Sequence, residues 1–252
     1  MKPATTRRAW INYGLLGLAA YVIFLLATVP AARVYPLLQT RLAPLTLYGL
    51  EGTLWQGRAR TADIGAYRVG PFSWELHIGK LLLGRVEAEV GFRGNGEGEA
   101  VIARTLGGEF RVRVANANVP VAETAAWLPP LVVSGGGHLV IRQADMVLHG
   151  GRISAAQGSV LWREGVTPPQ QSAPLGDLAM HFDTRDGVIK GTLLDKGGPV
   201  QAQGVLTLKA DGAYQFSGTL GARDATLAPA LQAFGPAGAD GKITLSYQGR
   251  YP

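Results

Sequence analysis

The chain has 252 residues, 35 of them glycine and none cysteine, with 47% hydrophobic and 17% charged residues and a formal net charge of +6. Its apolar content excludes a disordered chain, its length allows one large or two small domains, and the missing cysteine excludes disulfide staples and thiolate-bound metals. Lys2, Arg7, Arg8, Arg33 and Arg41 stand in residues 1–50 without one acidic residue, so all but +1 of the charge belongs there, whereas a nucleic-acid module concentrates positive charge on its folded part.

That charge surrounds an apolar segment, which suits anionic lipid headgroups. From Ala9 to Ala32 no side chain is charged. Its centre, residues 10–29, would span about 30 Å as a helix, the thickness of bilayer hydrocarbon, and predicts a transmembrane helix. Trp10, Tyr13 and Tyr35 sit where amphipathic rings favour the two interfaces, and Pro30 and Pro36 should end the helix. Lys2, Arg7 and Arg8 make residues 1–9 a cytoplasmic tail by the positive-inside rule. The alternative is a cleaved signal peptide with Val29-Pro30-Ala31 as its small-residue site, although such apolar regions run to about 7–15 residues. Residues 30–48 read as an apolar connector interrupted by Pro36 and Pro44.

Beyond the connector the period-2 pattern of strands takes over. Gly52-Thr53-Leu54-Trp55-Gln56-Gly57 reads as a turn followed by a strand, and Phe72-Ser73-Trp74-Glu75-Leu76 alternates strictly. Arg85 to Val90 and Glu109 to Val114 alternate likewise, with a hairpin turn at Gly94-Asn95-Gly96. Gly158-Ser159-Val160-Leu161-Trp162, then Leu178 to Phe182, repeats the opening pair in looser form. Val188 to Leu194, Val200 to Leu208, Ala213 to Leu220 and Ile243 to Tyr247 predict a meander, with turns at Asp186-Gly187 and Asp211-Gly212. Two short helices are predicted, Val121 to Leu128 after Pro120 and Leu227 to Phe234 before Gly235. The order of these pieces recurs, and the intervals Gly52 to Gly137 and Gly158 to Gly241 are 85 and 83 residues. The expected fold class is therefore mainly β. It comprises an N-terminal transmembrane helix and a duplicated antiparallel-sheet domain with two short helices, in units of residues 49–150 and 151–252.

Catalytic chemistry has no candidate in this pattern. His77, His138, His149 and His181 lack metal-ligand spacing. Ser134 before Gly135 lacks the preceding glycine of a nucleophile elbow. Gly79-Lys80 and Gly241-Lys242 complete no phosphate loop, and Gly94, Gly96 and Gly98 open no helix. Glu87 with Glu89, and Glu97 with Glu99, read as solvated carboxylates on an outer face. Trp55, Trp74, Trp127 and Trp162 read as packing or interface residues. No enzyme activity, cofactor, metal or nucleic-acid partner is expected.

The anchor, then Leu47 to Gly57 as L-x-G-L-x-G-T-L-W-Q-G, Gly70 to Leu76 as G-P-F-S-W-E-L and Lys80 to Gly84 as K-L-L-L-G, resembles the type II secretion system protein N family. The G-T-L-W-x-G run with a later W-x-L also looks like the wider AsmA-like β-domain pattern. The resemblance implies an inner-membrane, periplasm-facing accessory part of the machine that moves folded proteins across the Gram-negative outer membrane, with other secretion subunits as partners. The AsmA-like side implies a rival, an apolar groove that binds phospholipid. No catalytic residues carry over; Gly52, Thr53, Leu54, Trp55, Gly57, Trp74 and Leu76 form the structural or interaction motif.

Overall fold

The computed structural model describes residues 5–65, 67–81, 83–121, 136–166 and 174–250. Helix α1 (Thr5–Ala27) leads through Thr28, Val29 and Pro30 into α2 (Ala31–Leu42). Among the described residues no helix is long and apolar enough to cross a membrane. The transmembrane helix expected over residues 10–29 is not found at that standard; the helix that covers those positions, α1, begins at Thr5 and ends at Ala27. Residues 30–48 are not a plain connector either. Pro36 lies inside α2 instead of stopping it, because the helix is held from outside, with Tyr35 packed against the buried cluster of Leu47, Ala59, Ala62, Val69 and Phe72. An interior proline costs roughly 3 kcal/mol, and this tertiary contact outweighs it.

Apart from short helical turns, the rest of the described residues form one antiparallel sheet of fourteen strands. In the first half these are β1 (Leu45–Gly52), β2 (Gln56–Ile64), β3 (Tyr67–Val69), β4 (Phe72–Leu76), β5 (Arg85–Phe92), β6 (Glu97–Thr105) and β7 (Phe110–Pro120). The second half holds β8 (Gly136–His149), β9 (Arg152–Val166), β10 (Pro174–Arg185), β11 (Val188–Asp195), β12 (Val200–Lys209), β13 (Ala213–Ala222) and β14 (Ile243–Arg250). Each strand pairs with its sequence neighbour, except that β3 and β4 are two successive pieces laid along β2. A four-residue helix, α3 (Ile78–Leu81), follows β4. The predicted helix at Leu227 to Phe234 is present as α4 (Ala228–Leu231) between two 3-10 turns, closing at Gly235. The helix expected at Val121 to Leu128 lies outside the described residues beyond Val121.

Antiparallel register puts opposed residues on the same face, and here it sorts the whole sheet. One face carries Trp74 opposite Val90, Ile102 opposite Val112, and Val112 opposite Met146. It continues through Trp162 opposite Leu178 and Phe216 opposite Tyr247. The other face carries Glu75 opposite Glu89, Arg113 opposite Asp145, and Gln215 opposite Gln248. At the sequence-distal end the apolar face closes on itself around α4. Leu178, Val200, Ala202, Leu220, Leu231 and Ile243 form one buried cluster there. A second cluster, Leu47, Ala59, Ala62, Val69 and Phe72, lies under α2 at the other end. Cα atoms of β9 and β11, and of β10 and β12, come within 8 Å of each other across the intervening strand. Next-nearest strands of a flat sheet lie about 9.5 Å apart, so the sheet is curved there. The apolar face is the inner one: Ile189 is buried, while Leu194 and Val205 on the opposite face are each 48% exposed.

Aromatic rings on this inner face sit over glycines of the neighbouring strand. Trp74 opposes Gly57, Phe92 opposes Gly98, and Tyr214 opposes Gly249. A Cβ on Gly98 would stand 2.6 Å from the Phe92 ring, and one on Gly249 would stand 2.8 Å from the Tyr214 hydroxyl. Glycine thus supplies seats within strands as well as turns between them.

Candidate functional site: the junction of helix and sheet

A helix ends with carbonyls that no later amide of the helix can reach. In α1 these are taken up from outside. The Thr28 amide and hydroxyl both donate to Phe24 O, at 3.0 and 2.8 Å. The Trp55 indole Nε1 donates to Leu26 O at 2.7 Å. Three residues further, the Leu54 amide donates to Val29 O at 2.9 Å, and Pro30 bridges to Thr53. The β1–β2 turn is therefore the socket in which the end of α1 is held.

The turn itself is closed by Thr53. Its amide donates to Gln56 O at 2.9 Å, and its hydroxyl receives the Gln56 amide at 3.2 Å. Gly52 opens it with a left-handed φ of 91°, and a Cβ there would meet Gln56 O at 2.6 Å. Behind the turn, a Cβ on Gly57 would overlap the Trp74 ring. The Trp74 indole donates to Leu54 O at 3.1 Å, and the Leu76 amide to Trp55 O at 2.6 Å. All seven motif residues, Gly52, Thr53, Leu54, Trp55, Gly57, Trp74 and Leu76, are thus gathered at one corner of the sheet. On its outer side Arg58 hydrogen-bonds Glu51 at 2.6 Å and holds that exposed carboxyl below the usual range.

The second copy of the motif is built differently. Gly158 to Trp162 lies inside β9 and makes no turn. Gly158 faces the bulge in β8, where a Cβ would stand 2.7 Å from Ala144 Cα. Trp162 Nε1 donates to Gly136 O at 2.8 Å, so it too fastens a backbone segment, but a strand rather than a helix end. The expectation of two turn-then-strand units fails here because the glycine opposes a bulge.

Sequence reading missed the partners Leu26, Val29 and Pro30, and with them Tyr35, whose hydroxyl accepts the Leu47 amide at 2.8 Å on the outer edge of β1. The available signal was the Val29-Pro30 step after an apolar run, which marks a helix end. It also misplaced Glu87. Expected in solvent, Glu87 is 7% exposed. His77 Nδ1 lies 3.5 Å from its carboxylate, Arg113 3.9 Å and Arg85 4.0 Å, so three side chains pack over it. Glu89 stays exposed, 3.4 Å from His77 Nε2. Among the described residues no three His, Asp or Glu side chains converge as metal ligands. Ser134 and Trp127 lie outside the described residues. What the junction can do chemically is to cap a helix and fix its direction.

The family described as Type II secretion system (T2SS), protein N matches residues 43–246. Three curated relatives carry the name Type II secretion system protein N. That of Vibrio cholerae serotype O1 is 28% identical over 81% of this chain and 83% of its own length. That of Aeromonas hydrophila is 27% identical over 93% of this chain and 96% of its own. That of Klebsiella pneumoniae is 29% identical over 88% of this chain and 86% of its own. No solved structure matches the chain.

Proposed function

The chain belongs to the type II secretion system protein N family, and from that premise we propose that it is a non-enzymatic accessory scaffold of the secretion machine. In this reading α1 holds it in the inner membrane with the N-terminus cytoplasmic. The sheet then stands in the periplasm and assists export of folded proteins across the outer membrane. The anchor reading is supported by the side chains of α1: Trp10, Leu15, Leu16, Leu18, Ile23 and Phe24 are all exposed. Apolar side chains in such number need a solvent other than water.

The observation that carries the scaffold reading is the asymmetry of the sheet edges. The first half of the β1 edge is covered by α2, with the Leu47 amide taken by Tyr35. The outer edge of β14 is bridged by Ala237 at Ile243, and no other described strand pairs with it. An unpaired edge is a template for strand addition, and the partner proposed for it is another secretion subunit. Photo-crosslinkers at Ser246 and Gln248 should trap a secretion subunit in cells, and a crosslinker at Thr40 in α2 should not. Equal trapping at both places, or none at either, would count against the scaffold.

The division into units of residues 49–150 and 151–252 belongs to the same proposal, and the two separate buried clusters support it. A second reading, phospholipid binding, is favoured by the continuous apolar inner face. Photoreactive acyl chains in nanodiscs should then label Ile102, Val112 or Met146. Labelling confined to α1 would remove this reading.

A further inference from the structure

The rim of the sheet that receives α1 carries a second apolar feature. Strand pairing fixes which turns share that rim. Gln56 at the start of β2 opposes Glu75 near the end of β4, and Arg85 at the start of β5 opposes Thr105 at the end of β6. The Trp55 turn, α3 with Leu83, and the Leu106 turn therefore lie in a row along one rim. With about 4.8 Å per strand, the Leu106 turn stands roughly 15–20 Å from the Trp55 turn.

Leu83 is 79% exposed and Leu106 is 90% exposed, with Ile78 and Val86 exposed beside them. Single exposed leucines are ordinary, but these belong to one patch: a Cβ on Gly84 would meet Leu106 Cδ1 at 2.7 Å. Between His77 and Val86 the chain carries Lys80 and Arg85 and no acidic residue. Ile78 and Leu83 are flanked by Lys80 and Arg85, with Leu106 against them and Glu109 the one acidic residue of its turn. They stand on the side from which a membrane helix would leave and match the headgroup layer of a bilayer: apolar tips enter the interface while a lysine stem keeps its charge at the phosphates.

We propose that Ile78, Leu83 and Leu106, with Lys80, form a second and shallow contact with the phospholipid surface in which α1 is anchored. The contact rests on the anchor reading. A contact three strands away adds a second point at which the sheet meets the membrane, and with the Trp55 socket it sets the tilt of the sheet over the bilayer.

The chain has no cysteine, so single nitroxide labels can be placed cleanly in the full-length protein, in nanodiscs of phosphatidylethanolamine and phosphatidylglycerol. Leu83→Cys and Leu106→Cys report the rim, Leu18→Cys reports α1, and Leu194→Cys reports the exposed far end of β11. All four side chains are exposed, so the fold should tolerate the labels. Accessibility to oxygen relative to a water-soluble nickel chelate should be several-fold higher at 83 and 106 than at 194, and highest at 18. Lys80→Glu should lower the ratio at 83 and 106 and leave 18 unchanged. Label 18 in lipid with 83 and 106 equal to 194 overturns the rim contact and leaves the anchor standing. Label 18 in water overturns the anchor, and the rim contact with it. Labels at 83 and 106 shielded from both reagents mark a protein contact and overturn the lipid assignment.

Discussion

At the scale of single residues, the junction turns on close approaches. Gly57→Ala would force a methyl into the Trp74 ring and against Glu51 O, and overpacking of this kind costs about 1–3 kcal/mol. Thermal denaturation should show that loss. Gly107→Ala, whose nearest neighbour is Thr105 Oγ1 at 3.7 Å, should stay within about 0.5 kcal/mol. Asp195 offers a pH-dependent test. Burial pulls its pKa upward, but Arg223 and the amides of Gly197 and Ala202 donate to it at 2.7, 2.9 and 3.1 Å and hold it below the ordinary carboxylate value. The folded state therefore binds this proton more weakly than the unfolded chain. Its contribution is complete above an unfolded pKa of about 4 and is lost as pH falls through the folded value. Asp195→Asn should cost roughly 2 kcal/mol at pH 7, and the gap in urea midpoint between the two proteins should shrink below about pH 4. Glu87 shows where the residue pattern misleads: alternation puts it on the polar face correctly, but burial by His77, Arg85 and Arg113 depends on side chains from two strands and a loop, which no local pattern encodes.

Among elements, the meander from β11 to β14 was legible because its strands alternate cleanly and Asp186-Gly187, Asp211-Gly212 and the segment of α4 mark where they begin and end. The turn after Gly52 and the strand Phe72 to Leu76 were legible for the same reason. α2 was not, since local rules place a break at Pro36 and the force that overrides it is packing against β1. Tyr35→Phe should remove the acceptor of the Leu47 amide, at about 1 kcal/mol, and hydrogen exchange should quicken in β1 before any other strand. The rings seated on glycine were also missed. Glycine within an alternating run was their signal, as at Gly98 in β6, but it was read only as turn chemistry.

For the whole molecule, pairing of sequence neighbours makes the sheet nearly one-dimensional, so a local defect should stay local. Leu231 joins α4 to the distal cluster and is fully buried. Leu231→Ala should cost about 2–5 kcal/mol and raise exchange in β10 to β14, with β1 to β5 protected as before; uniform loss of protection would contradict two separate cores. The unequal edges also carry a rule of stoichiometry. Head-to-tail stacking through the two end strands would need a free β1 edge, and α2 obstructs that edge at Leu47. Of the two strands that end the described sheet, β14 is then the open one, so β14-to-β14 pairing between copies is two-fold and closes. Through β14 the chain can accept one foreign strand or one twin, and pairing by that edge alone does not grow into a fibre.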